Sequence, residues 1–320
     1  MPSFPEALVD LAVYLQHVFG AEEFDRIAQG LSGPRRSSFR ANLCRGTLEA
    51  LLAELTEKSC LFTPHPLSPW SFTTTPEGEK AIRETPAYKA GRLYLQSLPS
   101  QAGALALGVK PGMRILDATA APGGKASLIA MLVGKTGHVV AVERSTVRAG
   151  ILHHNLKKLG CDNTTVVTAD VRSLPQRVLK QRFDAIIVDA PCSGTGTIKL
   201  EDPRTWQHLA DRATGYIDIK AQQQASILRA VLPLLVPGGR LVYSTCSIDP
   251  RENELIIDAL LRDHPELTLE LPSVASAFPQ SRVPVTGIEG QHLHPDLSKT
   301  LRLHPDVLGE GFFIASMKHV

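Results

Sequence analysis

The spacing of hydrophobic and polar positions changes character at about residue 88 of the chain. Before that point, leucines at helical spacing over residues 6–30 and 47–57 flank a short predicted strand. Beyond it, short apolar runs alternate with amphipathic segments. Such alternation is typical of a mostly parallel sheet that is covered by helices on both faces. The pattern therefore predicts a small α+β region over residues 1–88 and an α/β, Rossmann-like domain over residues 89–320.

Three of the predicted strands end in residues that can carry chemistry. The motifs at these strand ends are DATAAPGGKA from Asp117, VDAPCSGTG through Asp189 and Cys192, and YSTCS through Cys246. In open α/β sheets, ligands bind just outside the carboxyl ends of the strands. The sequence therefore predicts one site in which a nucleotide-type ligand lies beside two thiols.

The first motif contains a glycine turn that differs from the dinucleotide-binding fingerprint. Its glycines do not match GxGxxG, which argues against a nicotinamide cofactor. The next predicted strand ends at Glu143, where an acid would hold the hydroxyls of a ribose, and the third ends near Asp170, which could accept a hydrogen bond from an adenine amino group or from neighbouring amides. Together these features fit S-adenosylmethionine. The candidate cofactor-binding residues are Thr119, Ala120, Ala121, Pro122, Gly123, Gly124, Lys125, Glu143, Arg148, Asp170 and Asp189.

Charge adds a candidate surface for a polyanion. The formal net charge of +2 is too small to argue for nucleic-acid binding by itself. Residues 35–45, however, contain four arginines and no acid; these are Arg35, Arg36, Arg40 and Arg45. This basic segment could contact the phosphates of a nucleic acid, and the alternative interpretation is an ordinary solvated loop and strand.

The number and spacing of the five cysteines indicate the redox state of the cellular compartment and whether the protein binds a metal. Their number is odd, and they form neither a CxxC pair nor a metal-ligand spacing, so the sequence predicts reduced thiols and no metal site. No apolar run is long enough to span a membrane, and the N-terminus lacks the features of a signal peptide. A cytoplasmic protein is expected.

The three strand-end motifs resemble those of the NOL1/NOP2/Sun family of RNA cytosine-5 methyltransferases. Shorter matches extend the resemblance from about residue 36 to the C-terminus; they are FRAN at 39–42, RLYLQ at 92–96, the DPR-to-Trp segment at 202–206 and GFFIA at 311–315. The resemblance implies a seven-stranded, mostly parallel methyltransferase sheet and S-adenosylmethionine as the cofactor. It also implies that the N-terminal region contacts RNA.

The resemblance also assigns roles to the catalytic candidates. Cys246 corresponds to the nucleophile that adds to carbon 6 of cytosine, and Cys192 to the cysteine that assists product release. Asp189 corresponds to an acid at the cofactor and the base. Four positions depart from the usual family residues, which puts cofactor affinity in question more than activity; they are Thr119, Ala126, Glu143 and Glu310.

The expected substrate is RNA, with ribosomal RNA as the first candidate and transfer RNA as the second. The target base is expected to leave its stack, which favours single-stranded or locally opened RNA. A monomer is expected. Three alternatives stay open at this point: a DNA cytosine-5 methyltransferase with Cys192 as nucleophile, a non-enzymatic RNA-binding ribosome assembly factor, and an NAD-dependent oxidoreductase.

Overall fold

The computed structural model describes residues 4–210, 215–279, 285, 287–288 and 290–320. The α-helices are α1 Val9–Phe19, α2 Ala21–Ser32, α3 Leu48–Glu57, α4 Pro76–Glu84, α5 Pro86–Lys89, α6 Leu98–Leu105, α7 Gly124–Val133, α8 Thr146–Leu159, α9 Gln176–Leu179, α10 Gln207–Ala210, α11 Tyr216–Val231 and α12 Glu254–Asp263. The strands are β1 Ser37–Ala41, β2 Thr63–Pro64, β3 Ser71–Thr74, β4 Leu93–Leu95, β5 Arg114–Asp117, β6 His138–Glu143, β7 Thr164–Thr168, β8 Phe183–Asp189, β9 Leu235–Thr245, β10 Leu267–Glu270, β11 Gly287–Ile288, β12 Gln291–His292, β13 Leu301–Leu303 and β14 Phe312–His319.

A small antiparallel sheet occupies the N-terminal part of the chain, with strand order β2-β3-β1-β4. Its core contains Phe39 and Phe72, whose rings stack with centroids 5.2 Å apart, and Leu51 and Leu55 of α3 pack against them. Since β4 follows residue 88 and pairs with β1, this sheet extends past the predicted boundary between the two regions.

The main sheet has the order β10-β14-β9-β8-β5-β6-β7, and β13 pairs with β14 as an eighth strand. The five strands from β9 to β7 in this order are parallel, whereas β14, β10 and β13 run antiparallel to their neighbours. The predicted α/β, Rossmann-like architecture is therefore confirmed, with one strand more than the expected seven.

Both faces of the main sheet are buried, which explains the continuous apolar runs of its strands. In β8, Ile186 and Val188 face one core with side chains of α11 and α12, while Ala185 and Ile187 face a second core with side chains of α6, α7 and α8. Successive side chains of a strand point to opposite faces, so one apolar run serves both layers.

Three boundaries differ from those that the sequence pattern predicts, which are a helix over residues 222–235, a strand over residues 240–245 and a helix that begins after Asp249. The helix expected at residues 222–235 is α11, which begins at Tyr216 and ends at Val231. The strand expected from residue 240 begins at Leu235, because Leu235 pairs with Phe183 beyond an irregularity in the register with β8. The helix expected to begin after Asp249 is preceded by a 3₁₀ turn, and α12 itself begins at Glu254. Among the described residues, no helix has the length and apolar character needed to cross a membrane.

Candidate active site

Two thiols meet at the carboxyl ends of β8 and β9. These strands are parallel neighbours, and Asp189 at the end of β8 pairs in register with Ser244 of β9. The loops that follow therefore leave the sheet side by side. They place the Sγ atoms of Cys192 and Cys246 3.3 Å apart, and both are free cysteines. The structure thus brings together the two thiols that the sequence analysis singled out.

A close backbone contact holds the two loops against each other. The Gly196 amide donates to the Cys246 carbonyl at 2.9 Å. A Cβ atom at Gly196 would lie 2.2 Å from the Gly311 carbonyl oxygen and 2.8 Å from that of Cys246. Only glycine permits this approach, which explains the last residue of the PCSGTG motif.

The third catalytic candidate, Asp189, is held on both carboxylate oxygens. Lys125 donates to Oδ2 at 2.7 Å, and the Ser244 hydroxyl donates to Oδ1 at 2.8 Å. The Lys125 ammonium also donates to Ser100 Oγ at 2.8 Å and is buried over the Phe312 ring. The charge-assisted bond fixes Asp189 as an acceptor whose orientation does not depend on a ligand.

Two cavities adjoin the thiols and share one wall. The larger has a volume of about 310 Å³ and the smaller about 240 Å³. Both are lined by Thr119, Ala121, Asp189 and Cys246, whereas Cys192 lines the smaller one. Two groups bound in the two cavities would therefore both lie next to Cys246, close enough to each other to react.

The smaller cavity, here called the cofactor cavity, is built by the ends of β5, β6 and β8. It contains Glu143, Arg148 and Asp170 among the predicted cofactor-binding residues. Four other candidates, which are Ala120, Pro122, Gly124 and Lys125, line the larger cavity, here called the base cavity. Gly123 lines neither cavity and instead precedes the first turn of α7 in a left-handed conformation, with φ +107°, which glycine adopts without strain.

The Glu143 carboxylate is buried and fixed at the rim of the cofactor cavity. Its Oε1 accepts from the Ser145 amide at 2.8 Å, and its Oε2 lies 3.5 Å from the Arg148 guanidinium. Arg148 in turn donates to the Ala121 carbonyl at 2.8 Å, which ties α8 to the glycine turn. An anchored carboxylate at this strand end can accept hydrogen bonds from hydroxyl groups.

Asp170 also lines the cofactor cavity, but its carboxylate is already engaged. Arg172 donates to both oxygens, at 2.9 Å and 2.6 Å. These hydrogen bonds lower the pKa of Asp170 to about 2. The expectation that the Asp170 carboxylate faces a ligand amino group therefore requires it to accept an additional hydrogen bond beside Arg172.

Asp117 is a site residue that the sequence analysis quoted only as the first letter of a motif. It ends β5, lines the base cavity and is almost fully buried. Its Oδ1 accepts from the Thr119 amide at 3.3 Å, while its Oδ2 has no hydrogen-bond partner within the described part of the protein. Burial raises the pKa of Asp117 to about 7, and the nearby Asp189 charge adds to the rise.

The loop of Cys192 is held on both sides of the thiol by a buried polar network that the sequence analysis missed. Glu252 accepts from the Ser193 amide at 2.8 Å and also from the Ser193 hydroxyl. Gln224 donates to the Pro191 carbonyl at 3.2 Å and to Glu252 at 2.9 Å. In the sequence, Glu252 fits the third position of a helix-capping pattern that begins at Asp249, so only its tertiary contacts reveal this role.

The surroundings of Cys246 favour its protonated form. The hydrogen bond with Cys192 raises the pKa of Cys246 well above its ordinary value, and burial and the charges of Asp189 and Glu310 act in the same direction. A thiol is the poorer nucleophile. The geometry therefore calls for removal of the Cys246 proton when a substrate is bound.

The four arginines of the basic segment have different environments. Arg40 is fully buried, and its guanidinium donates to Gln96 at 2.8 Å and to Ser127 Oγ at 2.7 Å. Its predicted contact with phosphate is therefore wrong for this structure, because the side chain is sealed inside the protein. Arg35 donates to the backbone carbonyls of Thr197 and Ile198.

Arg36 and Arg45 are the two exposed members of the basic segment. Arg45 donates to the Lys157 and Lys158 carbonyls at the end of α8, at 2.7 Å and 3.1 Å. Phosphate contact by these two arginines stays a prediction. Within the described part of the chain, no cluster of three or more His, Cys, Asp or Glu side chains suits a metal ion.

Fold and site together define a Rossmann-like methyltransferase domain with two thiols at neighbouring strand ends. The chain belongs to the 16S rRNA methyltransferase RsmB/F family, whose sequence model matches residues 104–318. This membership confirms the resemblance to the NOL1/NOP2/Sun family.

Two curated relatives show how far the similarity extends. Ribosomal RNA small subunit methyltransferase F of Cronobacter sakazakii is 30% identical over 98% of this chain and 63% of its own length. The 25S rRNA (cytosine-C(5))-methyltransferase nop2 of Schizosaccharomyces pombe is 31% identical over 97% of this chain and 50% of its own. The chain thus spans about half to two thirds of the length of these relatives.

Solved structures match the whole fold. A methyltransferase homolog from Pyrococcus horikoshii superposes with a TM-score of 0.83 and 30% identity, covering 100% of both chains. NSun6 from the same organism superposes with a TM-score of 0.79 at 24% identity, over 99% of this chain and 98% of its own, which supports the fold alone.

Proposed function

We propose that the protein is an S-adenosylmethionine-dependent RNA cytosine-5 methyltransferase that forms a covalent adduct between Cys246 and carbon 6 of cytosine. The observation that carries this proposal is the pair of thiols 3.3 Å apart, of which Cys246 lies on the wall shared by the two cavities and Cys192 lines the smaller cavity. One thiol can attack the base while the other assists a later proton transfer. A protein that only binds RNA would have no need for two adjacent thiols at this position.

The cofactor cavity fits S-adenosylmethionine in the character of its polar groups. The anchored Glu143 carboxylate would accept from the ribose hydroxyls, and Thr119 and Ala121 of the first motif line the same cavity. Pro191 and Ile227 supply apolar surface in the same cavity. When bound, the cofactor supplies an electrophilic methyl group.

In the base cavity, the reaction requires covalent activation because carbon 5 of cytosine is a poor nucleophile. The deprotonated Cys246 adds its electron pair to carbon 6, and the electrons of the carbon 5–carbon 6 double bond become available at carbon 5 for methylation. Asp189, fixed by Lys125 and Ser244, would bind the N3 edge of the base and favour this addition. Splitting the reaction in this way replaces one difficult step by easier ones.

Release of the product needs a proton acceptor. The proton on carbon 5 passes to Cys192, which accepts it as a thiolate, its bonding electrons restore the double bond, and the bond between carbon 6 and Cys246 breaks with the electron pair returning to sulfur. Cys192 is the group that assists this release, since its sulfur lies 3.3 Å from that of Cys246. The network of Glu252 and Gln224 would hold its loop in place.

For the substrate we propose ribosomal RNA first and transfer RNA second. Support comes from the relatives, since the proteins from Cronobacter sakazakii and Schizosaccharomyces pombe are both named as ribosomal RNA methyltransferases. Residues 1–88 would contribute RNA contacts and residues 89–320 the methyl transfer. We further propose that the protein acts as a cytoplasmic monomer.

The test uses cellular RNA from a strain that lacks this gene, incubated with the protein and tritiated S-adenosylmethionine. Ribosomal and transfer RNA are then separated and digested to nucleosides. Cys246→Ala and Cys192→Ala are compared with Cys60→Ala, a control that removes a thiol buried in the core of the small sheet. We expect 5-methylcytidine in ribosomal RNA with the unsubstituted protein and the control.

The outcomes separate the competing functions. Loss of label in Cys246→Ala supports the proposed nucleophile, whereas label that is retained in Cys246→Ala and lost in Cys192→Ala would indicate a mechanism of the DNA methyltransferase type. Label confined to transfer RNA would contradict ribosomal RNA as the substrate and assign transfer RNA instead. No label in either RNA, together with no binding of S-adenosylmethionine by calorimetry, would contradict the enzymatic function and favour an assembly factor.

A further inference from the structure

A third cavity, of about 220 Å³, lies beside the base cavity, between the small sheet and α8. Tyr94 and Leu95 of β4 line both cavities and thus form the partition between them. The remaining lining residues of this third cavity, here called the flanking cavity, are Arg83, Tyr88, Leu93, Asn155, Lys158 and Leu159. A chain that places one unit in the base cavity can therefore place its neighbour here.

The two neighbouring cavities differ in charge. The base cavity is lined by three carboxyl groups, those of Asp117, Asp189 and Glu310, against the single cation of Lys125. The flanking cavity is lined by the cations Arg83 and Lys158, and its lining contains no carboxyl group. A phosphate is therefore disfavoured beside the carboxylates and favoured in the flanking cavity.

Aromatic rings and cations are arranged together in the flanking cavity. The Lys158 ammonium lies 4.7 Å from the centroid of the Tyr88 ring, and Arg83 donates to the Tyr88 hydroxyl at 2.9 Å. Glu79 partly neutralises Arg83 through a contact of 2.6 Å, which leaves Lys158 as the main cation for an incoming anion. Aromatic side chains beside cations are the combination with which proteins bind single-stranded nucleic acid.

We infer that the flanking cavity binds the RNA nucleotide next to the target cytosine, with its phosphate held by Lys158 and Arg83 and its base or sugar against Tyr88 and Tyr94. This inference rests on the proposed function and deepens it, because it assigns part of the RNA-binding surface. It places RNA contacts on α4, α5 and α8, outside the basic segment of residues 35–45.

The binding test measures the anisotropy of a fluorescein-labelled single-stranded oligoribonucleotide that contains one cytosine. Lys158→Ala is compared with Lys157→Ala, a matched control that removes the same charge from the exposed neighbouring position of α8. We expect Lys158→Ala to weaken binding roughly three- to tenfold and to flatten the slope of log affinity against log salt by about 0.7, the value for one phosphate contact on a single strand. Lys157→Ala should change both values less.

The aromatic contact is tested with Tyr88→Ala and Tyr88→Phe. Loss of the ring should weaken binding about fivefold or more, the range for loss of a stacked base, while Tyr88→Phe keeps the ring and should bind nearly as the unsubstituted protein does. As a second readout, 4-thiouridine placed beside the cytosine should crosslink under ultraviolet light to the peptide with Tyr88 or the one with Lys158. Circular dichroism checks that each variant is folded.

The results also separate this inference from the proposed function. Equal affinities and salt slopes for Lys158→Ala and Lys157→Ala, with crosslinks only to other peptides, would overturn the inference even if the protein methylates RNA. The absence of measurable RNA binding would overturn it as well. Binding that depends on Lys158 and Tyr88 without any methyl transfer would support the RNA-binding cavity and contradict the proposed enzymatic reaction.

Discussion

Charged side chains are buried in two regions of this protein, but with different numbers of hydrogen-bond partners. At the carboxyl ends of the main sheet, Asp117 and Asp189 border open cavities, and Asp117 Oδ2 has no hydrogen-bond partner among the described residues. In the small sheet, Arg40 is enclosed and donates to Gln96, Gly124 and Ser127, although its Nη1 atom also has no partner among the described residues. Burial alone therefore does not mark a functional group.

The difference in hydrogen bonding indicates how each charged residue contributes to the stability of the fold. Arg40 connects β1 to the first turn of α7 and so stabilises the arrangement of the two sheets around the glycine turn. Burial disfavours the charge of both residues, since it lowers the pKa of Arg40 to about 10 and raises the pKa of Asp117 to about 7. Three hydrogen-bond acceptors compensate Arg40, whereas Asp117 accepts from the Thr119 amide on one oxygen and its Oδ2 has no partner among the described residues. Active sites commonly retain such unfavourable groups because function requires them. Substitution of the two residues should therefore change stability in opposite directions.

Removal of Arg40 is expected to have the largest effect on stability. Arg40→Ala leaves the acceptors on Gln96 and Ser127 without their donor, and we expect a loss of about 3 kcal/mol in the free energy of unfolding. Urea unfolding followed by circular dichroism measures it. Arg36→Ala is the control, because Arg36 is exposed. A loss below about 1 kcal/mol for Arg40→Ala would contradict the claim that the hydrogen bonds of Arg40 stabilise the fold.

Asp117→Asn is expected to stabilise the protein above pH 7 by about 2 kcal/mol, part of the ~4 kcal/mol that its raised pKa implies. The unfolded chain releases the Asp117 proton near pH 4, whereas the folded protein keeps it until about pH 7. This carboxyl therefore lowers the stability of the unsubstituted protein progressively as the pH rises between those values. Urea unfolding of both proteins at pH 5 and pH 8 should show a difference that grows with pH; a constant difference would contradict it.

Cys192→Ala is expected to make Cys246 more reactive. Because the hydrogen bond with Cys192 is the main cause of the raised pKa of Cys246, its removal should increase the thiolate fraction. We expect alkylation of Cys246 by iodoacetamide at pH 8 to be faster in Cys192→Ala than in the unsubstituted protein. Cys192→Ser keeps a hydroxyl partner and should accelerate less. Equal rates in all three proteins would show that the thiol contact does not control the Cys246 proton.

The smallest effect is expected for Arg36. Its guanidinium is exposed, so Arg36→Ala should change the free energy of unfolding by less than about 0.5 kcal/mol. If it contacts one phosphate, the affinity for single-stranded RNA should fall a few-fold and the salt slope by about 0.7. Anisotropy titrations at several salt concentrations measure both values. An unchanged affinity would remove Arg36 from the RNA-binding surface.

The thiols could be predicted from the sequence because each follows a short apolar strand and lies in a characteristic motif. Parallel neighbouring strands then bring Cys192 and Cys246 together without further information. The hydrogen-bond network that holds the Cys192 loop could not be predicted. Glu252 lies in a Pro-Arg-Glu turn that fits a local helix cap, and only the packing of α11 against this turn brings it to Ser193.

The N-terminal prediction failed at Arg40 for a related reason. Local charge density identifies a basic segment, but whether an arginine faces solvent or the core depends on strand register. Arg40 pairs with Ser71 of β3 and Tyr94 of β4, in the middle of the small sheet, and its side chain points toward α7. Conversely, Lys158 and Tyr88 are far apart in sequence and meet only in the folded protein.

The central claim, that Cys246 is the nucleophile, can be tested most directly by trapping the adduct. Small-subunit ribosomal RNA transcribed with 5-fluorocytidine cannot lose a proton from carbon 5, so an adduct that has been methylated persists. After incubation with S-adenosylmethionine and digestion, mass spectrometry identifies the cysteine that carries the modified nucleotide. We predict the Cys246 peptide. A nucleotide on Cys192, or no adduct in a preparation that binds both RNA and cofactor, would contradict the mechanism.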